Sequence, residues 1–223
     1  MSRKKGHCYF CGEEATSREH FLPPKAFLPK SDNLVFDNLA TLPSCYNHNG
    51  KRSQDDEYAA TSITIISWKC DTKFPEHQRK CIRALKRNEL SLYQKIFANS
   101  QNISGFQLKD SLYIPCEVSL LKLDRKRIDN VIESIARAIY HYESSDKKIW
   151  RGKCRVEQNL QNINVIEKAF IFGEKSGEVV FKKKGNYPEI FFYQILKDDR
   201  DSSYTIRMVF YESTTFIVYL ELI

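Results

Sequence analysis

The chain of 223 residues contains little glycine and proline and no long apolar run. With 8 Gly and 7 Pro, it is neither collagen-like nor of low complexity. No stretch approaches the ~20 apolar residues of a membrane helix, so we expect no membrane partner. The N-terminus is basic but lacks the apolar segment of a secretory signal, which favours a cytoplasmic protein. Hydrophobic residues still make up 42% of the chain, which is enough for a folded core.

The positive charge of the chain is concentrated in one short segment. The formal net charge is +7, from 35 Lys and Arg against 28 Asp and Glu. Residues 76–110 hold 7 basic and 3 acidic side chains, a balance of +4. The segments before and after it have balances of only +1 and +2. This local excess says more about the chain than its total charge does.

The order of predicted elements indicates an α+β protein. In the N-terminal third, two strands over Glu19–Leu22 and Leu39–Leu42 precede a helix over residues 50–67. A second, basic helix is predicted over residues 76–98, and the polar residues 99–111 are typical of a linker. We expect an N-terminal module over residues 1–70, the basic helix and linker over 71–110, and a C-terminal α+β domain over 111–223.

The C-terminal part shows alternating strand patterns around one strongly amphipathic helix. The helix is predicted over Arg127–Tyr142, where apolar residues recur at helical spacing. A weakly alternating strand precedes it over Ser111–Leu123. Five further strands, rich in Phe, Tyr, Val and Ile, should form an antiparallel sheet. They are predicted at Lys168–Phe172, Glu178–Lys183, Glu189–Leu196, Thr205–Tyr211 and Thr215–Leu222.

Four of the metal-binding side chains occur as two closely spaced pairs. Cys8 and Cys11 form a C-x-x-C motif, and Cys45 lies three residues before His48. Three thiolates and one imidazole form a donor set that suits tetrahedral Zn²⁺. The odd total of seven cysteines argues against a disulfide framework. We therefore predict a structural zinc site, and we expect the other cysteines to be small buried side chains.

Between and after these pairs, the sequence resembles the HNH endonucleases, also called the ββα-metal nucleases. The resemblance covers about residues 7–60. Its motifs are the two zinc-binding pairs, Glu19-His20 followed by Pro23, Asn38-Leu39, and Asn49 followed by Lys51-Arg52-Ser53. The chain departs from the family pattern in its fourth zinc ligand, which is His48 instead of Cys, and in an extra proline, Pro24.

The resemblance implies a role for each matching residue. His20 would be the general base, and Asn38 would orient its imidazole. Glu19 and Asn49 would hold one catalytic Mg²⁺ or Mn²⁺ ion through their oxygens. Cleavage of DNA, the partner that the resemblance implies, would leave 5′-phosphate and 3′-hydroxyl ends. The chemistry agrees, because a neutral imidazole can accept a proton from water near neutral pH and hard divalent cations prefer oxygen ligands.

Several basic residues are candidates for binding the nucleic-acid backbone. Two of them, Lys51 and Arg52, lie near the start of the first predicted helix. The others follow helical spacing on one face of the second helix: Arg79, Arg83, Lys86 and Arg87. A solvated helix face is an equally good interpretation of that second group. A role in defence against foreign DNA, with a partner protein, is suggested only by analogy, and a homodimer is compatible with the sequence.

Two other functions stay open at this point. One is a zinc-dependent module that binds nucleic acid without cutting it. The other is a nuclease that acts on RNA, because a phosphodiester site with a single metal does not by itself distinguish the sugars. Glu19, His20 and Asn49 together favour a catalytic function, since a module that only binds has no chemical need for them.

Overall fold

The computed structural model describes residues 6–22, 24–28, 36, 39–67, 75–87, 90–109, 112–159, 170, 182–198 and 202–222. Its N-terminal part consists of strands β1 (Ser17–Leu22) and β2 (Ala40–Ser44) and helix α1 (Ser53–Ile66). The two strands are antiparallel, with Glu19 opposite Leu42 and His20 opposite Thr41. The predicted order of strand, strand and helix is therefore confirmed. A short 3-10 helix, Lys25–Phe27, follows β1.

The middle of the chain differs from the prediction in two ways. The single helix predicted over residues 76–98 is two helices, α2 (Pro75–Lys86) and α3 (Ser91–Phe97). Leu90, directly before α3, has a φ of 64°, which no continuous right-handed helix accommodates. The linker predicted over residues 99–111 is also wrong. It contains strand β3 (Gln101–Lys109), which pairs along its whole length with β4 (Leu112–Leu120) in an antiparallel hairpin.

The C-terminal part contains helix α4 (Arg125–Glu143) and a five-stranded antiparallel sheet. Asp124 caps α4 by accepting a hydrogen bond from the backbone N–H of Arg127. The strands follow the spatial order β5-β9-β8-β7-β6. Their bounds are β5 Lys153–Asn159, β6 Lys184–Tyr187, β7 Phe191–Lys197, β8 Tyr204–Phe210 and β9 Thr214–Glu221.

Three of the predicted C-terminal strands correspond to β7, β8 and β9, so the antiparallel sheet is confirmed. The sequence does not predict strand β5, because Lys153–Asn159 has few β-branched or aromatic residues. The strands predicted at Lys168–Phe172 and Glu178–Lys183 lie largely outside the described residues.

The hydrophobic core extends without a break from the N-terminal part to the C-terminal sheet. It includes Phe21 and Tyr58 on one side, Ile132 and Ile139 of α4 in the middle, and Phe216 of β9 on the other. Helix α4 contacts β1 and α1 as well as β5 and β9. The predicted boundaries at residues 70 and 110 stay a prediction. Among the described residues, no helix combines the length and the apolar character needed to cross a membrane.

Candidate metal centre and the adjoining polar network

Two tight turns bring the four predicted zinc ligands together. After Cys8, the N–H of Gly12 donates to the carbonyl of Cys8 at 2.9 Å, and Gly12 has a φ of +85°, which favours glycine. In the second turn, the N–H groups of His48 and Asn49 both donate to the carbonyl of Cys45, at 3.1 and 3.0 Å. Each turn therefore directs two ligand side chains toward the same point.

The ligand atoms of Cys8, Cys11, Cys45 and His48 all lie within 4.8 Å of one another. The Sγ atoms of Cys11 and Cys45 are 3.8 Å apart, as are Cys8 Sγ and His48 Nδ1. Zinc–sulfur bonds of about 2.3 Å in a tetrahedron would place two sulfur atoms about 3.8 Å apart. The group could hold a metal ion, and its donors and spacing are consistent with structural zinc.

The electrostatics of this cluster also suit a cation. Burial and the neighbouring Cys8 and Cys45 thiols raise the pKa of Cys11 to about 11, although a backbone hydrogen bond at Glu13 opposes the shift. Burial opposes ionisation of Cys8, but backbone hydrogen bonds at Cys11, Cys45 and Phe10 lower the pKa of its thiol, and a thiolate is the form that binds a metal. Burial and the positive charge of Arg52 lower the pKa of His48, which keeps its imidazole neutral and able to bind a metal.

Aromatic packing fixes the orientation of the imidazole ligand. The ring of His48 stacks on Phe10, with centroids 4.2 Å apart and an interplanar angle of 19°. The guanidinium of Arg137, on α4, lies over the Phe10 ring at 4.9 Å from its centroid. Arg151 donates to the carbonyl of Cys11 at 3.2 Å. The C-terminal part of the chain therefore supports the metal cluster directly.

Next to the metal cluster, Glu19 belongs to a buried polar network. Arg52 forms an ion pair with its Oε1, and the hydroxyl of Tyr9 donates to its Oε2 at 3.1 Å. Arg52 also pairs with Asp56 at 3.2 Å and donates to Oγ of Ser134 on α4. The side chains of Arg52 and Glu19 are each only 12% exposed.

The charges of this network stabilise one another. Burial opposes the charge of Arg52, but Tyr9, Glu19 and Asp56 hold the pKa of its guanidinium above the ordinary value. Burial raises the pKa of Glu19, and Arg52 counteracts this shift. The expected contact of Arg52 with phosphate does not fit this position, because the guanidinium is buried and already paired with Glu19 and Asp56. Lys51, in contrast, is exposed.

His20 lies on the other face of β1. Successive side chains of a strand point to opposite faces, so His20 is directed away from Glu19 and toward the side of its strand partner Thr41. It is half-buried. Burial and the nearby positive charge of Lys25 lower the pKa of His20, so that its imidazole is neutral at pH 7.

The remaining predicted catalytic residues do not join His20. Asn49 donates from Nδ2 to Oγ of Ser17 at 2.8 Å, which places it on the face of β1 that carries Glu19. Asn38 lies outside the described residues. The predicted catalytic groups therefore occupy two faces of β1. As arranged, they do not form a Mg²⁺ site, because Glu19 is buried with its charge compensated by Arg52 and His20 lies on the opposite face of β1.

The basic residues of α2 form an exposed face. Arg79, Arg83 and Lys86 of α2 and Arg87, directly after it, are all exposed, as the helical spacing predicts. Arg87 pairs with Glu57 of α1, and both side chains are largely exposed, at 61% and 45%. The buried side of the helix is formed by Cys81 and Ala84, whereas Ile82 is exposed.

Two members of the buried network, Tyr9 and Ser134, are not among the residues predicted from the sequence. Tyr9 is 1% exposed, and its hydroxyl lies 2.8 Å from Oγ of Ser134. A tyrosine between two cysteines carries no recognisable signal in the sequence. Ser134 does carry one, because it is a polar residue within the apolar stripe of α4, next to Ile135, and a buried hydroxyl needs a partner.

The comparisons with known proteins add no family assignment: no protein-family model, curated protein or solved structure matches this chain. The resemblance to the HNH endonucleases therefore depends only on the residues quoted above.

Proposed function

We propose that this protein is an endonuclease of the HNH type that hydrolyses phosphodiester bonds of DNA. The observation that carries the proposal is His20, a half-buried and neutral imidazole on a β-hairpin next to a zinc-compatible Cys₃His cluster. The order of the elements supports the same proposal, because β1, β2 and α1 follow the first pair of cysteines.

In this function, His20 accepts a proton from the attacking water. The reaction needs the imidazole in its neutral form, and burial together with Lys25 favours that form. General bases of this kind contribute about 10²- to 10⁴-fold to rate. The Cys₃His cluster would have a structural role, since four protein ligands leave no open position for a substrate.

The proposal also makes a demand on Glu19. A catalytic role as an oxygen ligand for a divalent ion requires the carboxylate to exchange Arg52 and Tyr9 for the ion. The exposed face of α2 would contribute phosphate contacts and salt-dependent affinity.

The same network favours a second candidate function. The contacts of this carboxylate with an arginine and a tyrosine hydroxyl do not require a catalytic role, because any buried charge needs a counter-charge and hydrogen bonds. A zinc-dependent module that binds nucleic acid without cutting it would contact the nucleic acid through the β1–β2 pair and the exposed face of α2.

Plasmid nicking separates these two functions. Supercoiled DNA and a single-stranded RNA are incubated with the full chain in Mg²⁺ or Mn²⁺. The same assay is repeated with His20→Ala and with the matched control His7→Ala, which removes an exposed histidine outside the metal cluster. Zinc content is measured for every protein.

We expect nicking by the wild type and the control, and a loss of at least about 100-fold in His20→Ala at unchanged zinc content. Equal nicking by all three proteins would contradict the catalytic role of His20. Binding without cleavage of either nucleic acid would favour the second candidate, and cleavage of RNA alone would change the substrate.

A further inference from the structure

An open cavity lies at the C-terminal end of α4. Its volume is 790 Å³, within the range of about 300–1,000 Å³ typical of small-molecule sites. The end of α4, the segment leading into β6, and strands β7 and β8 form its walls. None of the residues proposed for nuclease function lines it.

The walls of this cavity are rich in lysine. Lys148 follows α4, Lys182 and Lys184 lie before and in β6, and Lys197 ends β7. Glu143 is the acidic side chain among the lining residues that the structure describes. Four ammonium groups against one carboxylate leave the cavity positive.

The lining carboxylate is already neutralised inside the protein. Glu143 pairs with Lys184 at 2.5 Å through Oε2, and the hydroxyl of Tyr193 donates to its Oε1 at 2.6 Å. The ion pair of Lys148 with Asp146 has side chains 64% and 67% exposed, so it is weak and easily exchanged. The positive charge of Lys148 and of the exposed Lys182 therefore remains available to a ligand.

These lysines are not required to cap the end of α4. The carbonyl of Tyr140 accepts the N–H of Ser144 at 2.9 Å, and the carbonyl of His141 accepts the Ser144 hydroxyl at 3.1 Å. Lys147, outside the cavity, donates to the carbonyl of Tyr142 at 2.6 Å. Other groups therefore already bind the last carbonyls of α4, and helix capping does not explain why lysines line this cavity.

Two tyrosines complete the cavity. The rings of Tyr140 and Tyr204 meet edge to face, with centroids 5.0 Å apart. Within the part of the chain that the structure describes, neither hydroxyl has a hydrogen-bond partner. Burial raises the pKa of Tyr140, so its hydroxyl stays protonated and can donate to an anion.

We propose that this cavity binds a small phosphate-bearing molecule, with Lys148 and Lys182 contacting the phosphate oxygens and Tyr140 and Tyr204 donating from their hydroxyls. Ammonium groups and hydroxyls form charge-assisted hydrogen bonds with phosphate. The size of the cavity suits a nucleotide or a polyphosphate. This proposal goes beyond nuclease function and does not depend on it.

Calorimetric titration of the full chain at low ionic strength tests the site. The probes are ATP, inorganic triphosphate, adenosine as a phosphate-free control, and a short single-stranded oligonucleotide. The test variant is Lys148→Gln with Lys182→Gln. The matched control is Lys122→Gln with Lys126→Gln, which removes two exposed lysines near the start of α4, outside the cavity.

We expect ATP and triphosphate to bind once per chain and adenosine not to bind. The test variant should weaken binding at least about tenfold, Tyr204→Phe should weaken it less, and the control should leave it unchanged. Stronger binding of ATP than of triphosphate would indicate an additional contact between the protein and the nucleoside part of ATP. Binding should also persist in His20→Ala, which separates this site from the nuclease proposal.

Three results would overturn the proposal. The first is no binding of ATP or triphosphate. The second is equal weakening by the test and control variants, which would indicate only a diffuse attraction. The third is binding of the oligonucleotide through Lys148 and Lys182 without binding of ATP or triphosphate, which would make the cavity part of a nucleic-acid surface.

Discussion

The metal cluster and the predicted catalytic group come from the same short part of the chain, yet the structure assembles only the first of them. The four zinc-compatible ligands converge within 4.8 Å. Glu19 and His20, although adjacent in sequence, point to opposite faces of β1. The local backbone of two tight turns positions the ligand pairs. The contacts of Glu19 depend instead on how α1 and α4 pack against β1, and sequence motifs do not describe this packing.

The largest expected effect in this comparison is the loss of the metal cluster. Cys11→Ser removes one of four ligands, and metal binding of this kind contributes several kcal/mol or more to folding. We expect the wild type to bind one zinc per chain, and the variant to lose this binding together with hydrogen-exchange protection in β1 and β2. Protection in the C-terminal sheet should largely remain.

The matched control for this variant is Cys154→Ser, which changes a cysteine of β5 outside the cluster. It should retain zinc. The same zinc content in both variants would contradict the structural role of the cluster. Hydrogen-exchange protection of β1 and β2 that does not change when a chelator removes zinc would also contradict it.

The second prediction asks what Glu19 and Arg52 contribute to folding. Arg52→Ala leaves Glu19 and Asp56 buried without their counter-charge, which should lower the free energy of unfolding by about 3–5 kcal/mol. The exposed pair of Arg87 with Glu57 is the matched control, and Arg87→Ala should cost less than about 1 kcal/mol. Urea denaturation measures both.

A double-mutant cycle of Glu19→Gln with Arg52→Gln then measures the coupling of the pair. A coupling energy near zero, or equal costs for Arg52→Ala and Arg87→Ala, would mean that the buried network does not hold Glu19. The carboxylate would then be available for the catalytic role that the resemblance implies.

The third prediction concerns the exposed face of α2. Arg83→Gln with Lys86→Gln should weaken binding to duplex DNA and reduce the dependence of log K on log salt by about one unit for each phosphate that the variant no longer neutralises. The matched control is Lys122→Gln with Lys126→Gln near the start of α4. Titrations at several salt concentrations measure both, and the same slope for both pairs would leave α2 as a solvated face.

The smallest expected effect is a shift in the titration of His20. Its pKa should lie below the ordinary value of 6.5, because burial and Lys25 both disfavour the imidazolium. Folding stability linked to His20 should therefore fall as the pH drops below 6.5, since the unfolded chain then binds the proton more readily. Lys25→Gln should raise the pKa of His20, because it removes the second of these two causes.

NMR titration of the imidazole measures this pKa directly, without any assay of activity. Lys51→Gln, which removes another exposed lysine of the N-terminal part, is the control and should not move it. A pKa of His20 above 6.5 in the wild type would contradict the neutral base on which the proposed function depends.

The correct predictions concern features that depend on residues close together in the sequence. The zinc-compatible cluster followed from the spacing of Cys8 and Cys11 and of Cys45 and His48, and α4 followed from a long apolar stripe that is buried at Ile128, among others. Tyr142, at the end of that stripe, is 42% exposed, although its ring contacts Phe21.

The failures have a common cause in contacts between distant segments. Strand β3 is polar enough to resemble a linker, and only its pairing with β4 makes it a strand. Arg52 resembles a phosphate-binding residue, and only the convergence of Glu19, Asp56 and Ser134 makes it an interior charge. Neither pairing leaves a pattern within the segment that it affects.

The central claim, that His20 is the base of a phosphodiester hydrolase, is tested most directly by one ratio. It is the rate of metal-dependent plasmid nicking by the wild type divided by the rate for His20→Ala, at matched zinc content. The account predicts a ratio of at least about 100. A ratio of one, with measurable cleavage in both proteins, would contradict it.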